Sequence, residues 1–307
     1  MKNKTVLVTG GAGFIGSHIV DRCLELGAKV IVLDNLVAGS MSNIEHQGNR
    51  IKFVNGSINS FSTVYELVTE SDYIFHCAAS KLVASRDDPI LDMETNIMGT
   101  VNILEAIRGT SKRLIHASTG SVFGSSNIDM EENHPKNPTT LYGISKLAGE
   151  KYVMFYAKEF GVKALVIRYF HVYGPRQDYS GDAGVVSIFM SRILQDKPPI
   201  VYSGGTQIRC FTYVKDVVDA TIMLALDHRA IGEDFNVASG LRMNINSLAR
   251  TIINLCEKRL EPIKGEHRPG ENYRPVPSTL KIRLLGFEPK VGLMEGLELT
   301  KKWIVKV

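Results

Sequence analysis

Short apolar runs alternate with longer stretches of helical periodicity through the first half of the chain. Strands are predicted at 5–9, 29–33, 51–55, 73–76, 113–117 and 163–168. Between them the apolar spacing predicts an amphipathic helix ending near Leu26, a helix over 89–107 and another over 140–160. Nearly all-apolar strands that alternate with helices predict a parallel sheet covered on both faces. Past Gly174, Pro and Gly punctuate shorter elements, and that change of texture predicts a second lobe. The expected architecture is therefore a doubly wound, Rossmann-type α/β sheet of residues 1–170 with a return segment at 211–236. A smaller α/β lobe is expected from 171–210 and 237–307. The helices at 90–107 and 140–160 are rich in apolar residues on more than one face, which fits either core burial or a homodimeric four-helix bundle.

The 307 residues are 44% hydrophobic and 22% charged, enough for a large core, and no repeat or low-complexity tract interrupts them. A net charge of +4 with no Lys/Arg-rich run gives no support to a nucleic-acid partner. No stretch approaches the roughly 20 apolar residues of a membrane span, and the apolar run at 6–8 is too short for a signal sequence. Cys23, Cys77, Cys210 and Cys256 lie far apart and form no metal-ligand or disulfide pattern, so no metal and a cytoplasmic location are expected.

Gly10-Gly11-Ala12-Gly13-Phe14-Ile15-Gly16 follows the first strand and opens the first helix. Glycines there let the backbone turn sharply and approach a pyrophosphate, whose charge sits at the helix N-terminus. Asp34 ends the second strand about 20 residues on, where an acidic side chain accepts from adenosine ribose hydroxyls. A carboxylate there repels a 2′-phosphate, which points to NAD rather than NADP. Tyr142-Gly143-Ile144-Ser145-Lys146 places a phenol and an ammonium on one helix face at i, i+4 spacing. A free tyrosine, with a pKa of about 10, is a poor base at neutral pH. A neighbouring ammonium and the positive nicotinamide of an oxidised cofactor favour the phenolate, which can then take a proton from a sugar hydroxyl.

Together these motifs resemble the extended short-chain dehydrogenase/reductase family, in particular the NAD-dependent epimerases and dehydratases of nucleotide sugars. The resemblance covers nearly the whole chain. His76-Cys77-Ala78-Ala79 is similar to the family's fourth-strand signature, Asn96 matches its helix asparagine, and Ala117-Ser118-Thr119-Gly120-Ser121-Val122-Phe123-Gly124 matches the strand end that carries a catalytic hydroxyl. The resemblance implies Thr119, Tyr142 and Lys146 as catalytic residues, with Ser121 as the alternative hydroxyl. It implies cofactor contacts at Gly10, Gly13, Phe14, Ile15, Gly16, Asp34, Asn35, Ser57, Ile58, Ala78, Ala79, Lys81, Asn96, Tyr142, Lys146 and Phe170. Substrate contacts are implied at Lys81, Thr119, Ser121, Tyr142, His171, Val185, Tyr202, Arg209, Arg268 and Glu271. Guanidinium groups suit a diphosphate because they hold its oxygens bidentately, although Arg209 and Arg268 also fit as solvated surface charge.

The chain departs from the family pattern at four places. Ser57 stands for the usual acidic residue after the third strand, His171 for Asn before Val-Tyr-Gly, Cys210 for the Asp of Arg-Asp-Phe, and Phe123 for a frequent Tyr. The family oxidises a sugar carbon, usually C4, to a transient ketone. Elimination of water across C5–C6 needs an acid–base pair, and related dehydratases carry carboxylates directly after the catalytic Thr. Here those positions are Gly120 and Ser121, which favours a 4-epimerase acting on a UDP-sugar. A 4,6-dehydratase, a 4-keto reductase and a non-catalytic NAD-binding relative stay open as alternatives.

Overall fold

The computed structural model describes residues 1–179, 184–266 and 276–306. Six strands fall where the apolar runs predict them: β1 Thr5–Thr9, β2 Lys29–Asp34, β3 Ile51–Asn55, β4 Tyr73–His76, β5 Arg113–Thr119 and β6 Lys163–Tyr169. With Asp234–Val237 they form one seven-stranded sheet, ordered β3-β2-β1-β4-β5-β6 and then Asp234–Val237. The pairings from β3 through to β5 are parallel. The order reverses beside β1, which is the switch point of a doubly wound sheet, where ligands bind at the carboxyl ends of the strands. This is the Rossmann-type α/β fold.

Helix α1 (Phe14–Glu25) follows β1, and α2 (Phe61–Thr69) follows β3. The predicted helix at 89–107 runs as α4 (Pro89–Met93), a π-helical turn at Glu94–Met98 and α5 (Gly99–Ile107), preceded by the short α3 (Leu82–Asp87). Helix α6 (Leu141–Phe160) starts where Thr140 accepts the Gly143 amide at 3.1 Å and stops at Gly161, whose φ of 65° no β-carbon-bearing residue adopts cheaply. Leu7, Leu33, Ile74, Ile103, Leu104, Leu114 and Val166 are buried between the sheet and these helices. Gly99 lets α5 approach the Ile58 side chain more closely than a β-carbon permits.

The chain divides into two compact units: 1–122, 140–168 and 218–235, and 123–139, 169–217 and 236–307. The second contains helices Val185–Leu194, Ile245–Leu255 and Leu293–Ile304 and small two-stranded pairings, among them Ile208–Cys210 with Arg242–Asn244. Residues 123–139, read from sequence as part of the sheet domain, cluster with this second unit. Their hydrogen bonds explain it: the Asn236 amide and side chain reach Glu132 Oε1 and the Met130 carbonyl, both at 2.9 Å. No helix among the described residues is long and apolar enough to cross a membrane.

Candidate active site

The Gly-rich turn is shaped by contacts that exclude side chains. Gly10 has φ of 67°, and a β-carbon on it would lie 2.6 Å from the Ala78 nitrogen. A β-carbon on Gly16 would overlap the Gly10 carbonyl oxygen. Gly13 is the N-cap of α1 and offers no side chain to its amides, and the first turn carries no acidic residue. An uncapped helix N-terminus of this kind fits a pyrophosphate. Asp34 is 7% exposed, and its two oxygens accept the Ala12 amide at 2.9 Å and the Leu36 amide at 2.8 Å. Each oxygen keeps a lone pair for a further donor. Gly39 passes close to this carboxylate, where a β-carbon would come within 2.8 Å of Oδ1.

The remaining cofactor candidates of the first unit lie on the segments that follow β1 to β4. Phe14 and Ile15 are half-buried at the start of α1, and Asn35 is exposed, its Oδ1 accepting the Val37 amide at 3.2 Å. Ser57 Oγ accepts the Asn59 amide at 3.1 Å, so this departure closes a turn with its own hydroxyl. Ile58 is in the core, and its carbonyl accepts Asn102 Nδ2 at 2.9 Å. Ala78 and Ala79 are half-buried after β4, and Lys81 is the exposed N-cap of α3.

Thr119 ends β5, and its hydroxyl stands near enough to the Tyr142 phenol to favour its charged form. Thr119 Oγ1 donates to Ser121 Oγ at 3.2 Å and accepts the Ser121 amide, so both candidate hydroxyls stand together, and Thr119 is the one that acts on the phenol. Lys146, 2% exposed, lies one helical turn below Tyr142. Burial pushes the Tyr142 phenol up to about 12, opposed by the Thr119 hydroxyl and reinforced by the charge of Asp92. Burial also pushes the Lys146 ammonium down to about 8, opposed by Glu150, Cys77 and Asp92. In the chain by itself, desolvation thus outweighs the lowering of the phenol that the i, i+4 ammonium predicts.

Asn96 sits in the π-helical turn and ties three segments together. Its Oδ1 accepts the Ser80 amide at 2.9 Å, and its Nδ2 donates to Asp92 Oδ1 at 2.7 Å and Ser145 Oγ at 3.0 Å. Ser85 donates to the same Asp92 oxygen at 2.5 Å. Asp92, Ser85 and Glu150 escaped the reading of the sequence. Glu150 repeats the spacing of Tyr142 and Lys146 by four more residues, and that periodicity is the signal that could have found it.

In the second unit, Phe170 is 1% exposed and stacks on the equally buried Phe123 with 6.3 Å between centroids. His171 has φ of 41°, meets the edge of Phe211 at 6.0 Å, and has a buried Nδ1 with no hydrogen-bond partner among the described residues. Burial, and then the charge of Arg209, push its imidazole down to about 3. Arg209 is 8% exposed and donates to the Ile208 carbonyl at 3.0 Å. Cys210 is buried with its sulfur 3.9 Å from Ser239 Oγ, a site with no need of a carboxylate. Val185 opens its helix and the Tyr202 carbonyl accepts Gln207 Nε2 at 3.1 Å. Arg268 and Glu271 lie outside the described residues. No group of three His, Cys, Asp or Glu suited to a metal ion occurs among the described residues.

Residues 6–238 match the model of the "NAD dependent epimerase/dehydratase family". A UDP-glucose 4-epimerase of Mycolicibacterium smegmatis is 35% identical over 302 residues, covering 96% of each chain. A UDP-N-acetyl-alpha-D-glucosaminuronate decarboxylase of Bacillus cytotoxicus is 33% identical over 321 residues, covering 99% of this chain and 98% of its own. The crystal structure of a Thermotoga maritima UDP-glucose 4-epimerase with UDP-glucose superposes with a TM-score of 0.92 at 36% identity, covering 98% of this chain and 99% of that one.

Proposed function

This chain belongs to the NAD dependent epimerase/dehydratase family, and from that premise we propose that it is a UDP-sugar 4-epimerase working through a transient 4-ketose. The observation that carries the reading is the Thr119 hydroxyl beside the Tyr142 phenol, which stands one turn above a buried Lys146 on α6. The chemistry that NAD supplies when bound is reversible hydride acceptance from a sugar carbon. The Gly10–Gly16 turn and the N-terminus of α1 would hold its pyrophosphate, and Asp34 its adenosine ribose.

Tyr142 takes the proton of the C4 hydroxyl and later returns it, while Thr119 hydrogen-bonds the same oxygen and fixes its approach. Burial moves Tyr142 still further above neutral pH than a free tyrosine, so a nearby positive charge is needed before it can act as a base. Lys146 supplies part of that charge, and an oxidised cofactor would add to it when bound. Gly120 and Ser121 follow Thr119 and offer no carboxylate, which favours return of the proton over loss of water. Within this reading the first unit is the NAD-binding domain and the second the sugar-nucleotide lobe, where His171 and Arg209 contact the diphosphate and Arg268 and Glu271 complete the set.

Incubation with a panel of UDP-, GDP- and dTDP-sugars, with products identified by NMR, tests the assignment. Equilibration of two C4 epimers is the expected result. A 4-keto-6-deoxy product or release of carbon dioxide overturns it.

The same reading takes the enzyme to be a cytoplasmic homodimer. Support for the dimer comes from Ile90, Met98, Ile144 and Phe155, which are all more than half exposed on α4–α6 and the turn between them. Four free cysteines support the reducing location. Mass in solution decides the assembly, with a monomer refuting it.

A further inference from the structure

A buried ion-pair network underlies the reacting hydroxyls, and none of the roles above uses it. Glu150 follows Lys146 by one turn of α6 and is 2% exposed. Its Oε1 accepts Ser118 Oγ at 2.6 Å and Arg168 Nε at 2.9 Å, and its Oε2 accepts Arg168 Nη2 at 2.7 Å. Arg168 Nη2 donates further to Asp234 Oδ2 at 2.5 Å. One carboxylate therefore joins α6 to the end of β5 and to β6. Burying such a pair carries a desolvation cost that apolar side chains of similar volume avoid, so stability alone does not call for one here.

Its neighbours suggest what it is for. Ser118 immediately precedes Thr119, and Glu150 shares a helix face with Lys146 and Tyr142. We propose that Glu150 is a positioning residue: its carboxylate clamps Ser118, which sets the Thr119 hydroxyl against Tyr142, and its negative charge holds Lys146 as an ammonium. This rests on the roles given above to Thr119, Tyr142 and Lys146. Burial draws Lys146 down to about 8, and Glu150 is the strongest influence against it, ahead of Cys77 from the segment after β4 and Asp92 from α4. The other titratable groups facing the ammonium are His76 of β4 and His116 of β5, both driven towards the neutral form, chiefly by burial.

Glu150→Gln keeps the shape and an acceptor for Ser118 while removing the charge. In cofactor-free protein labelled with ¹³C-lysine, the Lys146 side-chain signal, assigned by its loss in Lys146→Met, reads the ammonium directly. The expected result is a titration midpoint lowered by about one pH unit or more, with the alkaline limb of kcat moving the same way. Ser118→Ala leaves the Glu150–Arg168 pair in place and is expected to lower kcat about 10- to 100-fold without moving the Lys146 midpoint. Arg168→Met removes the competing cation and is expected to raise that midpoint, which keeps the charge role testable if Glu150→Gln does not fold. An unmoved midpoint in a folded variant overturns the charge role, and wild-type kcat in Ser118→Ala overturns the clamp. The lysine titration needs no substrate, so failure of the epimerase reading is seen separately.

Discussion

Asp34 accepts the Ala12 amide at 2.9 Å and so ties the end of the second strand to the Gly-rich turn. Because it also accepts the Leu36 amide, the carboxylate organises the loop as well as offering lone pairs to a ribose. In Asp34→Asn one of these acceptors becomes an NH2 group facing an amide N–H, which leaves a buried donor unmet at a cost of about 1–3 kcal/mol. NAD affinity measured by calorimetry is expected to fall about 5- to 100-fold, with a lowered melting temperature in the cofactor-free protein. Weaker NAD binding with an unchanged melting temperature would show that Asp34 acts on the cofactor alone.

Tyr142→Phe removes the phenol beside Thr119 while keeping the ring. Turnover is expected to fall about 10²- to 10⁴-fold, the usual range for loss of a general acid–base. NAD binding stays close to wild type, because the ring still packs. Turnover at the wild-type level in a variant that retains NAD rules out the role assigned to Tyr142.

The sheet was legible in the sequence because its strands are short apolar runs, rich in Val and Ile and too short for helices, alternating with helical patterns. Tyr142 and Lys146 were legible because their spacing places them on one helix face. Glu150 sits at the same spacing, yet a glutamate on a helix reads as a solvated side chain until β5 and β6 bring Ser118 and Arg168 over it. The π-helical turn at Glu94–Met98 has no periodicity signal of its own, since it shifts the register inside an otherwise regular helix. Residues 123–139 carry no repeating pattern, and their allegiance to the second unit rests on hydrogen bonds from Asn236, distant in sequence.

Lys146 makes stability and activity respond to pH in opposite directions. Its folded value of about 8 lies below the ordinary 10.5, so between those values the unfolded chain binds more protons than the folded one. Unfolding free energy therefore rises with pH across that window, and the burden of the buried ammonium is fully present below pH 8. Activity runs the other way, because the phenol needs the charge: kcat/KM is expected to fall above about pH 8. Lys146→Met is expected to melt at a higher temperature than wild type at pH 7 and to lose turnover. A lower melting temperature would mean that the ammonium stabilises the fold despite its burial, the opposite sign.

His171 occupies a backbone conformation, φ of 41°, that asparagine tolerates better than histidine does. Its Nδ1 is buried without a hydrogen-bond partner among the described residues, a deficit of about 1–3 kcal/mol that the edge contact with Phe211 offsets only in part. Asparagine relieves the strain, and its smaller side chain leaves room for water to reach its own amide, but it gives up the ring contact. The net gain is expected to be about 1 kcal/mol, which in a chain of this size raises the melting temperature of His171→Asn by about 2–4 °C. Differential scanning calorimetry of the cofactor-free protein reads it directly. A melting temperature at or below wild type means that the ring's packing on Phe211 outweighs the unmet nitrogen, and that histidine is held there by the fold.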